Sequence, residues 1–129
     1  MQDESNQWIS VVDDDQAFRN ATVNLLKSNG FLAESFSSAE EFLNAPRAKA
    51  AKCLILDVQM SGMSGLDLQR RLVSEKRKIH IIFLTARAYP EFREAAMKAG
   101  AVDFLTKPFA EEDLLRAISV AFQSTENIP

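Results

Sequence analysis

The sequence predicts an α/β fold in which a parallel sheet carries helices on both faces. Strand-like apolar runs and helix-like segments alternate five times without internal repeats, and this (βα)5 order is typical of βαβ units around a parallel sheet. Right-handed crossovers then place helices on both sides, a doubly wound arrangement. The length of 129 residues fits one domain with its own core. We expect a single domain over 1–129, a core at about 8–122, and flexible ends at 1–7 and 123–129.

The five predicted strands are short apolar runs that end in polar residues. They comprise residues 8–12, 32–36, 53–56, 79–84 and 102–105. The polar residues beyond them are, in chain order, Asp13 with Asp14, Ser37, Asp57, Thr85, and Thr106 with Lys107. Because parallel strands deliver their carboxyl ends to one edge of the sheet, these side chains should meet in a single crevice.

Capping residues predict where the helices begin and end. Asp15 is placed to cap the first helix, and Ser38 with Glu41 forms a capping box for a short second helix that ends before Pro46. A connector then spans residues 46–52. The other predicted helices span residues 16–28 for the first, 65–75 for the third, 90–100 for the fourth, and from after Ala110 to about 122 for the fifth.

Composition excludes several function classes. The formal charge of −3 and the pI near 5.2 leave no basic footprint for nucleic acid or an anionic membrane. Residues 1–7 are polar, and no apolar run approaches the roughly 20 residues of a membrane span. We expect a cytoplasmic protein that binds neither nucleic acid nor membrane through this domain. The single cysteine, Cys53, excludes an internal disulfide and is expected to be a buried, reduced thiol.

The predicted crevice gathers carboxylates that need a cation. Asp13, Asp14 and Asp57 would raise one another's pKa at close range unless a positive charge intervenes. An oxygen-only ligand set suits Mg²⁺ better than zinc, which prefers His or Cys. Lys107 supplies a fixed charge and Thr85 a hydroxyl, groups that hold the anionic oxygens of a transferring phosphoryl group. An aspartate can itself be the nucleophile, and Asp57 is the predicted one.

Each of these residues also has a purely structural interpretation. One of the three consecutive aspartates can serve as a helix N-cap, which we assign to Asp15. Thr85 can simply end a strand, and Lys107 can lie in a surface turn. The functional interpretation is favoured because all of them follow strands at one predicted edge.

Four motifs carry a resemblance to a known family. They are VVDDD at 11–15, LILDVQMSGMSG at 54–65, FLTA at 83–86 and KAGAVDFLTKPF at 98–109. In their order and spacing, residues 9 to about 122 resemble the receiver domain of two-component response regulators. The resemblance implies a flavodoxin-like five-stranded sheet in the order 2-1-3-4-5.

The resemblance also implies roles for the site residues. Asp57 would be the phosphoacceptor, and Asp14 and Asp57 would ligate Mg²⁺ directly, with Asp13 acting through water and the backbone carbonyl of Gln59 completing the protein ligands. Lys107 would pair with the phosphoryl group, and the peptide bond that follows it would be cis.

A conformational switch is implied as well. Thr85 would move toward the phosphoryl oxygens and Phe104 would rotate into the vacated space, which repacks the face of helix 4, strand 5 and helix 5. Phe104 is equally well placed to be an ordinary core aromatic. Ala86, Gln59 and Arg87 would flank the access to the phosphoryl site.

Two positions depart from the family pattern. Ser61 stands where a proline is common, which predicts a less rigid loop after Asp57. His80 occupies a strand position that is often apolar or proline, and a structural histidine is expected there.

The implied partner is a sensor histidine kinase that donates the phosphoryl group, and no other reaction is expected of the domain. The segment 98–109 most resembles receivers of helix-turn-helix transcriptional regulators, so an output domain or a docked partner would read the switch. Helix 4 and strand 5, with Ala95, Met97, Ala99 and Val102, are the candidate interface of a phosphorylation-dependent homodimer; the alternative is that these residues pack onto the sheet.

Two other function classes were weighed against this one. A phosphohydrolase of the haloacid-dehalogenase type also uses an aspartate nucleophile and Mg²⁺, but it needs a second carboxylate where Gln59 stands, and the chain has no room for a substrate-selecting cap. A pure interaction module would work without phosphorylation, which the complete acidic set argues against.

Overall fold

The computed structural model describes the backbone of residues 7–126 and the side chains of residues 7–123. The outer parts of the two predicted flexible ends, 1–6 and 127–129, lie outside the described residues. The strands are β1 (Trp8–Val12), β2 (Leu32–Phe36), β3 (Ala51–Leu56), β4 (His80–Thr85) and β5 (Asp103–Thr106). The helices are α1 (Gln16–Ser28), α2 (Ala39–Asn44), α3 (Gly65–Ser74), α4 (Pro90–Lys98) and α5 (Glu111–Glu126).

The five strands form one parallel sheet in the order β2-β1-β3-β4-β5. This confirms the predicted class and strand order. β1 and β3 lie at the centre, so the residues that follow them, Asp13 and Asp57, emerge side by side at the carboxyl edge. A backbone hydrogen bond from Asp57 N to Val12 O, 3.2 Å long, holds the two strand ends together.

Each face of the sheet covers its own apolar cluster. On one face α1 and α5 pack, and Leu26, Leu114 and Ile118 contact the strand residues Ile9 and Ile55. The other face carries α2, α3 and α4. Its fully buried members include Phe42, Leu54, Leu56, Leu68 and Phe83. The helices therefore cover both faces, as a parallel sheet requires.

The predicted caps are formed. Asp15 accepts a hydrogen bond from Phe18 N at the start of α1, and Ser38 accepts one from Glu41 N at the start of α2. Glu41 reaches back to the backbone N–H of Ser37 rather than to that of the cap residue itself. This hydrogen bond, which Ser37 N donates to the Glu41 carboxylate, holds the pKa of Glu41 below its usual range.

Several predicted boundaries were wrong by a few residues. The connector predicted over 46–52 contains a 3-10 helix, Pro46–Ala50, and β3 begins at Ala51, two residues early. Thr85 and Thr106 are the last residues of β4 and β5 and pair with each other, so they belong to the sheet. Helix α5 continues to Glu126, four residues past its predicted end.

Helix α1 spans the predicted residues, and the ends of α3 and α4 differ from the prediction by one or two residues. Helix α3 ends at Ser74 and α4 at Lys98, each slightly before the predicted stop. Gly100 follows α4 with φ of +102°, a left-handed conformation that side chains disfavour. Among the described residues, no helix has both the length and the apolar character to cross a membrane.

Cys53 lies in the centre of β3 and is fully buried, as predicted. Desolvation raises the pKa of its thiol to about 12. A thiol in that state packs as a small apolar side chain, and burial disfavours the reactive thiolate.

Candidate functional site

The carboxyl edge of the sheet brings the predicted polar residues together. Asp13 follows β1, Asp57 follows β3, and Lys107 follows β5, so three strands contribute to one crevice. The Asp13 side chain is 2% exposed and that of Asp57 12% exposed, whereas Asp14 is an exposed residue. The crevice therefore has a buried floor and an open mouth.

Asp13, Asp14 and Asp57 each direct one carboxylate oxygen to within 4.8 Å of the others. Three oxygen donors at this spacing fit a hard divalent cation with water in its remaining positions. Within the described part of the chain the cluster includes no His or Cys ligand, so the donor set disfavours zinc. The residues fit the predicted Mg²⁺ in kind and number.

Lys107 links two of the carboxylates. Its Nζ lies 2.7 Å from Asp13 Oδ2 and 3.2 Å from Asp57 Oδ2. The Lys107 side chain is 18% exposed, so both ion pairs are largely shielded from solvent. A lysine held here places its charge beside the oxygen that would carry a new anionic group.

Burial and charge shift the titration of this ion pair. Desolvation raises the pKa of Asp13, and the neighbouring Asp57 charge adds to the shift while the Lys107 hydrogen bond opposes it. Burial alone would lower the pKa of Lys107. The hydrogen bond that Lys107 donates to Asp13 and the charge of Asp57 outweigh that effect, so the Lys107 pKa is raised and the ammonium form is maintained.

Backbone N–H groups of the loop between β3 and α3 donate hydrogen bonds to three carboxylates. The second oxygen of Asp57, Oδ1, accepts a hydrogen bond from Gln59 N at 3.2 Å. Ser61 N donates to Asp14 Oδ2 at 3.3 Å, a bond that a proline at this position could not make. Glu40 on α2 accepts a hydrogen bond from Met63 N at 3.0 Å. These bonds order the loop without the proline.

Thr85 lies at the end of β4, fully buried, and its hydroxyl accepts a hydrogen bond from Arg87 N at 3.1 Å. Ala86 and Arg87 follow it on the exposed side. Gln59, two residues after Asp57, is exposed as well. The three residues predicted to flank the entrance therefore lie at the surface.

Phe104 on β5 points into the core and is 3% exposed. Its ring lies 5.8 Å from that of Phe83. Arg93 on α4 donates to the carbonyl oxygen of Phe104 at 2.9 Å, which ties α4 to the backbone of the edge strand. The peptide bond between Lys107 and Pro108 is cis, as the resemblance implied.

Two residues near the site were not predicted to belong to it. Arg19 Nη1 donates to the carbonyl oxygen of Asp13 at 2.8 Å. The ring of Phe18 lies against Lys107, whose Nζ is 3.9 Å from the ring centroid. Phe18 and Arg19 lie three and four residues after the cap residue Asp15, in the first turn of α1. That the first turn of α1 follows the crevice residues directly was the only indication in the sequence of these contacts.

A family model described as the response regulator receiver domain matches residues 9–119. The chain belongs to this family. It is 48% identical to the response regulator protein TmoT of Ectopseudomonas mendocina over 125 residues, which cover 94% of this chain and 57% of TmoT. It is 36% identical to the transcriptional regulatory protein FixJ of Bradyrhizobium diazoefficiens over 118 residues, which cover 92% of this chain and 58% of FixJ. The receiver domain therefore spans little more than half the length of these relatives.

Solved structures agree with the family assignment. The crystal structure of FixJ-N superimposes on this chain with a TM-score of 0.83 at 35% identity, and the match covers 100% of this chain and 98% of FixJ-N. A structure of the response regulator StyR gives a TM-score of 0.83 at 44% identity and covers 92% of this chain and 60% of that one. The receiver fold thus accounts for the whole of the described sheet and its helices.

Proposed function

We propose that this receiver domain accepts a phosphoryl group on Asp57 from a phosphohistidine of a sensor histidine kinase. The observation that carries the proposal is the position of the Asp57 carboxylate. It is 12% exposed and lies beside two further aspartates, with Lys107 Nζ 3.2 Å from Oδ2. A carboxylate in this setting can act as the nucleophile, and the lysine beside it can hold the transferred charge.

The transfer exchanges one bond to phosphorus for another. An Asp57 carboxylate oxygen forms the new P–O bond while the P–N bond of the phosphohistidine breaks, and the imidazole nitrogen leaves with the electron pair. Hydrolysis of the resulting acyl phosphate later returns the carboxylate. The domain catalyses both steps on itself, so it acts as a signalling protein and not as an enzyme with a separate substrate.

Mg²⁺ is the proposed cofactor. Asp14 and Asp57 would ligate it directly, Asp13 would act through water, and the backbone carbonyl of Gln59 would complete the protein ligands. When bound, the ion would neutralise charge that builds up on the transferring phosphoryl oxygens. The three clustered carboxylates support this assignment, and the hydrogen bond from Ser61 N orients Asp14 toward the cluster.

Thr85 and Phe104 are the proposed switch. The Thr85 hydroxyl is bonded to the following turn and would exchange that partner for a phosphoryl oxygen. Phe104 on β5 packs on Phe83 of the neighbouring strand β4. A movement of β4 at Thr85 would therefore be passed to the Phe104 ring through Phe83. The change is a shift in population between two packings, biased by new charge-assisted hydrogen bonds. Ala86, Gln59 and Arg87 are proposed to govern access to the phosphoryl group.

The proposed readout is the surface of α4, β5 and α5. Ala95 and Met97 are exposed on α4, Ala99 is exposed directly after it, and Val102 before β5 is half-buried against the cluster under α5; the exposed residues support a phosphorylation-dependent homodimer. The relatives are about twice as long as the matched region and include transcriptional regulators, so we propose that the switch controls a transcriptional output domain in the cytoplasm. The receiver domain itself would bind neither nucleic acid nor membrane, in keeping with its net charge of −3.

Intact mass after incubation with acetyl phosphate tests the proposal. The wild-type domain should gain one labile phosphoryl group when Mg²⁺ is present and none when the ion is chelated. The variant Asp57→Asn should gain none under either condition. Asp15→Asn is the matched control, because it removes a neighbouring carboxylate while asparagine still caps α1.

Two outcomes would contradict the proposal. Phosphorylation of Asp57→Asn to the same extent as wild type would place the acceptor elsewhere. A wild-type domain that takes up no phosphoryl group from the donor, yet still binds a partner, would favour an interaction module that works without phosphorylation.

A further inference from the structure

The ammonium group of Lys107 has a third neighbour besides the two aspartates. Its Nζ lies 3.9 Å from the centroid of the Phe18 ring. A lysine within about 6 Å of a ring centroid is attracted by the negative face of the π system, more strongly where solvent is displaced. Only 18% of the Lys107 side chain is exposed, so this cation–π attraction is stronger than it would be at an exposed site.

The Phe18 ring is held in place by contacts with two segments, the N-terminus of α1 and the loop after β5. Asp15 Oδ1 accepts a hydrogen bond from Phe18 N at 3.2 Å, which sets the residue in the first turn of α1. Phe109, two residues after Lys107, packs edge-to-face on the same ring at 6.2 Å between centroids and 75° between planes. The aromatic pair therefore ties the first turn of α1 to the loop that carries Lys107.

This support matters because lysine is flexible. Its four-carbon chain loses considerable rotamer freedom when held in one geometry. Asp13 and Asp57 hold the ammonium by charge, but the proposed reaction changes the charge at Asp57, and the ammonium must then follow the phosphoryl oxygens. The Phe18 ring contacts the ammonium group of Lys107 and, unlike Asp57, does not change its charge in the reaction. The ring also covers part of the ammonium group from water.

We propose that Phe18 is a positioning residue for Lys107, whose ring holds the ammonium toward the oxygens of Asp57 and of the phosphoryl group that arrives there. The proposal rests on the proposed function of Asp57 and concerns a residue that does not touch the reacting atoms. A substitution that keeps the volume but removes the π face should therefore slow phosphorylation, and a substitution that keeps the face should not.

Phosphorylation kinetics with acetyl phosphate at saturating Mg²⁺ provide the first test. We expect Phe18→Leu to lower the maximal rate at least about fivefold, which is the rate equivalent of an exposed cation–π contact and so the lower bound for a shielded one. Phe18→Tyr should stay within about twofold of wild type, because it retains the ring face. Phe31→Leu is the matched control. It makes the same change on the same side of the sheet, where Phe31 stacks on Phe122 away from the crevice, and its rate should equal wild type.

Proton NMR of the lysine side chain provides a test that needs no phosphodonor. The terminal methylene protons of Lys107 should resonate upfield of other lysines in wild type and Phe18→Tyr, because of the ring current, and return to the ordinary position in Phe18→Leu. A loss of activity through general misfolding would instead move resonances throughout the core.

The two tests separate the two proposals. If the wild-type domain takes up no phosphoryl group, the proposed function fails and this role fails with it. If wild type reacts but Phe18→Leu reacts equally fast, or if Phe18→Tyr is as slow as Phe18→Leu, the positioning role alone is overturned. Ordinary methylene shifts in wild type would overturn it as well.

Discussion

The backbone carbonyl oxygen of Asp57 occupies the space where a β-carbon would stand on Gly65. Gly65 is the first residue of α3, and its N–H donates to Val58 O at 2.8 Å. The start of α3 therefore packs directly on the backbone of the phosphoacceptor candidate. Because the neighbouring atom is main chain, no side-chain rotation can make room for a substituent.

We expect Gly65→Ala to be severely destabilising, by about 3 kcal/mol or more, since overpacking against backbone must move α3 away from β3. Urea unfolding measures the change. Gly30→Ala is the control, because a β-carbon at Gly30 meets nothing within 4 Å and only its φ of +87° is unfavourable. That variant should lose about 1 kcal/mol. Equal losses in the two variants would show that the contact with Asp57 carries no particular strain.

Ser10 carries a buried hydroxyl that costs stability. In the part of the chain that the structure describes, its Oγ is the one fully buried side-chain polar atom without a hydrogen-bond partner. Ser10 lies at the middle of β1, where its neighbours in register are Glu34 and Leu54. We expect Ser10→Ala to raise the free energy of unfolding by about 1 kcal/mol, because an unpaired buried hydroxyl is removed.

Thr22→Val supplies the matched comparison in the same unfolding experiment. Thr22 is equally buried, but its Oγ1 donates to Phe18 O at 2.8 Å. Removing that satisfied hydroxyl should lower the free energy of unfolding by about 1 kcal/mol. The two hydroxyl deletions should therefore have opposite signs, and a Ser10→Ala variant that loses stability would contradict the interpretation of Ser10.

Local sequence was sufficient to predict the sheet and the residues at its edge. Strand periodicity and the parallel topology together place Asp13, Asp57 and Lys107 at the same edge, whatever the details of helix packing. The errors arise where pairing is decided by a distant strand. β4 includes Thr85 because Thr85 pairs with Thr106, and β3 begins at Ala51 because Ala51 pairs with Trp8.

The supporting contacts of the site were beyond prediction for a similar reason. The contact of Phe18 with Lys107 depends on how α1 docks against the loop after β5, and the bond between Glu40 and Met63 depends on how α2 docks beside the loop after β3. Each joins elements that are far apart in sequence. Periodicity identifies the face of a helix that is buried, but it does not determine which side chain meets which neighbour.

Burial should make Cys53 inert in the native protein. Desolvation raises the pKa of the thiol to about 12. At pH 8 the thiolate fraction is then about a thousandfold smaller than that of an unburied cysteine. We expect iodoacetamide to label the native domain at least that much more slowly than the same protein in concentrated urea, as measured by intact mass. Labelling at equal rates in the two conditions would show that β3 opens readily to solvent.

Protonation of Glu40 should weaken its hydrogen bond with Met63 N and so make the loop after β3 sensitive to pH. The hydrogen bond from Met63 N is the main reason that the pKa of Glu40 lies below its ordinary value of 4.5. A lowered carboxyl pKa means that the bond contributes fully above pH 4.5 and is lost as the pH falls through the lower native value. We expect the amide resonance of Met63 to titrate with a midpoint below 4.5, and its hydrogen exchange to quicken in Glu40→Ala.

Glu40→Gln is the control for this coupling, because glutamine keeps an acceptor oxygen for Met63 N but does not titrate. Its Met63 amide resonance should be flat across the acid range, while its exchange should stay closer to wild type than that of Glu40→Ala. Glu40 is exposed, so global stability should hardly change between the variants, and the effect should stay within the loop. A Met63 titration that persists in Glu40→Gln would show that Glu40 is not the group that couples this amide to pH.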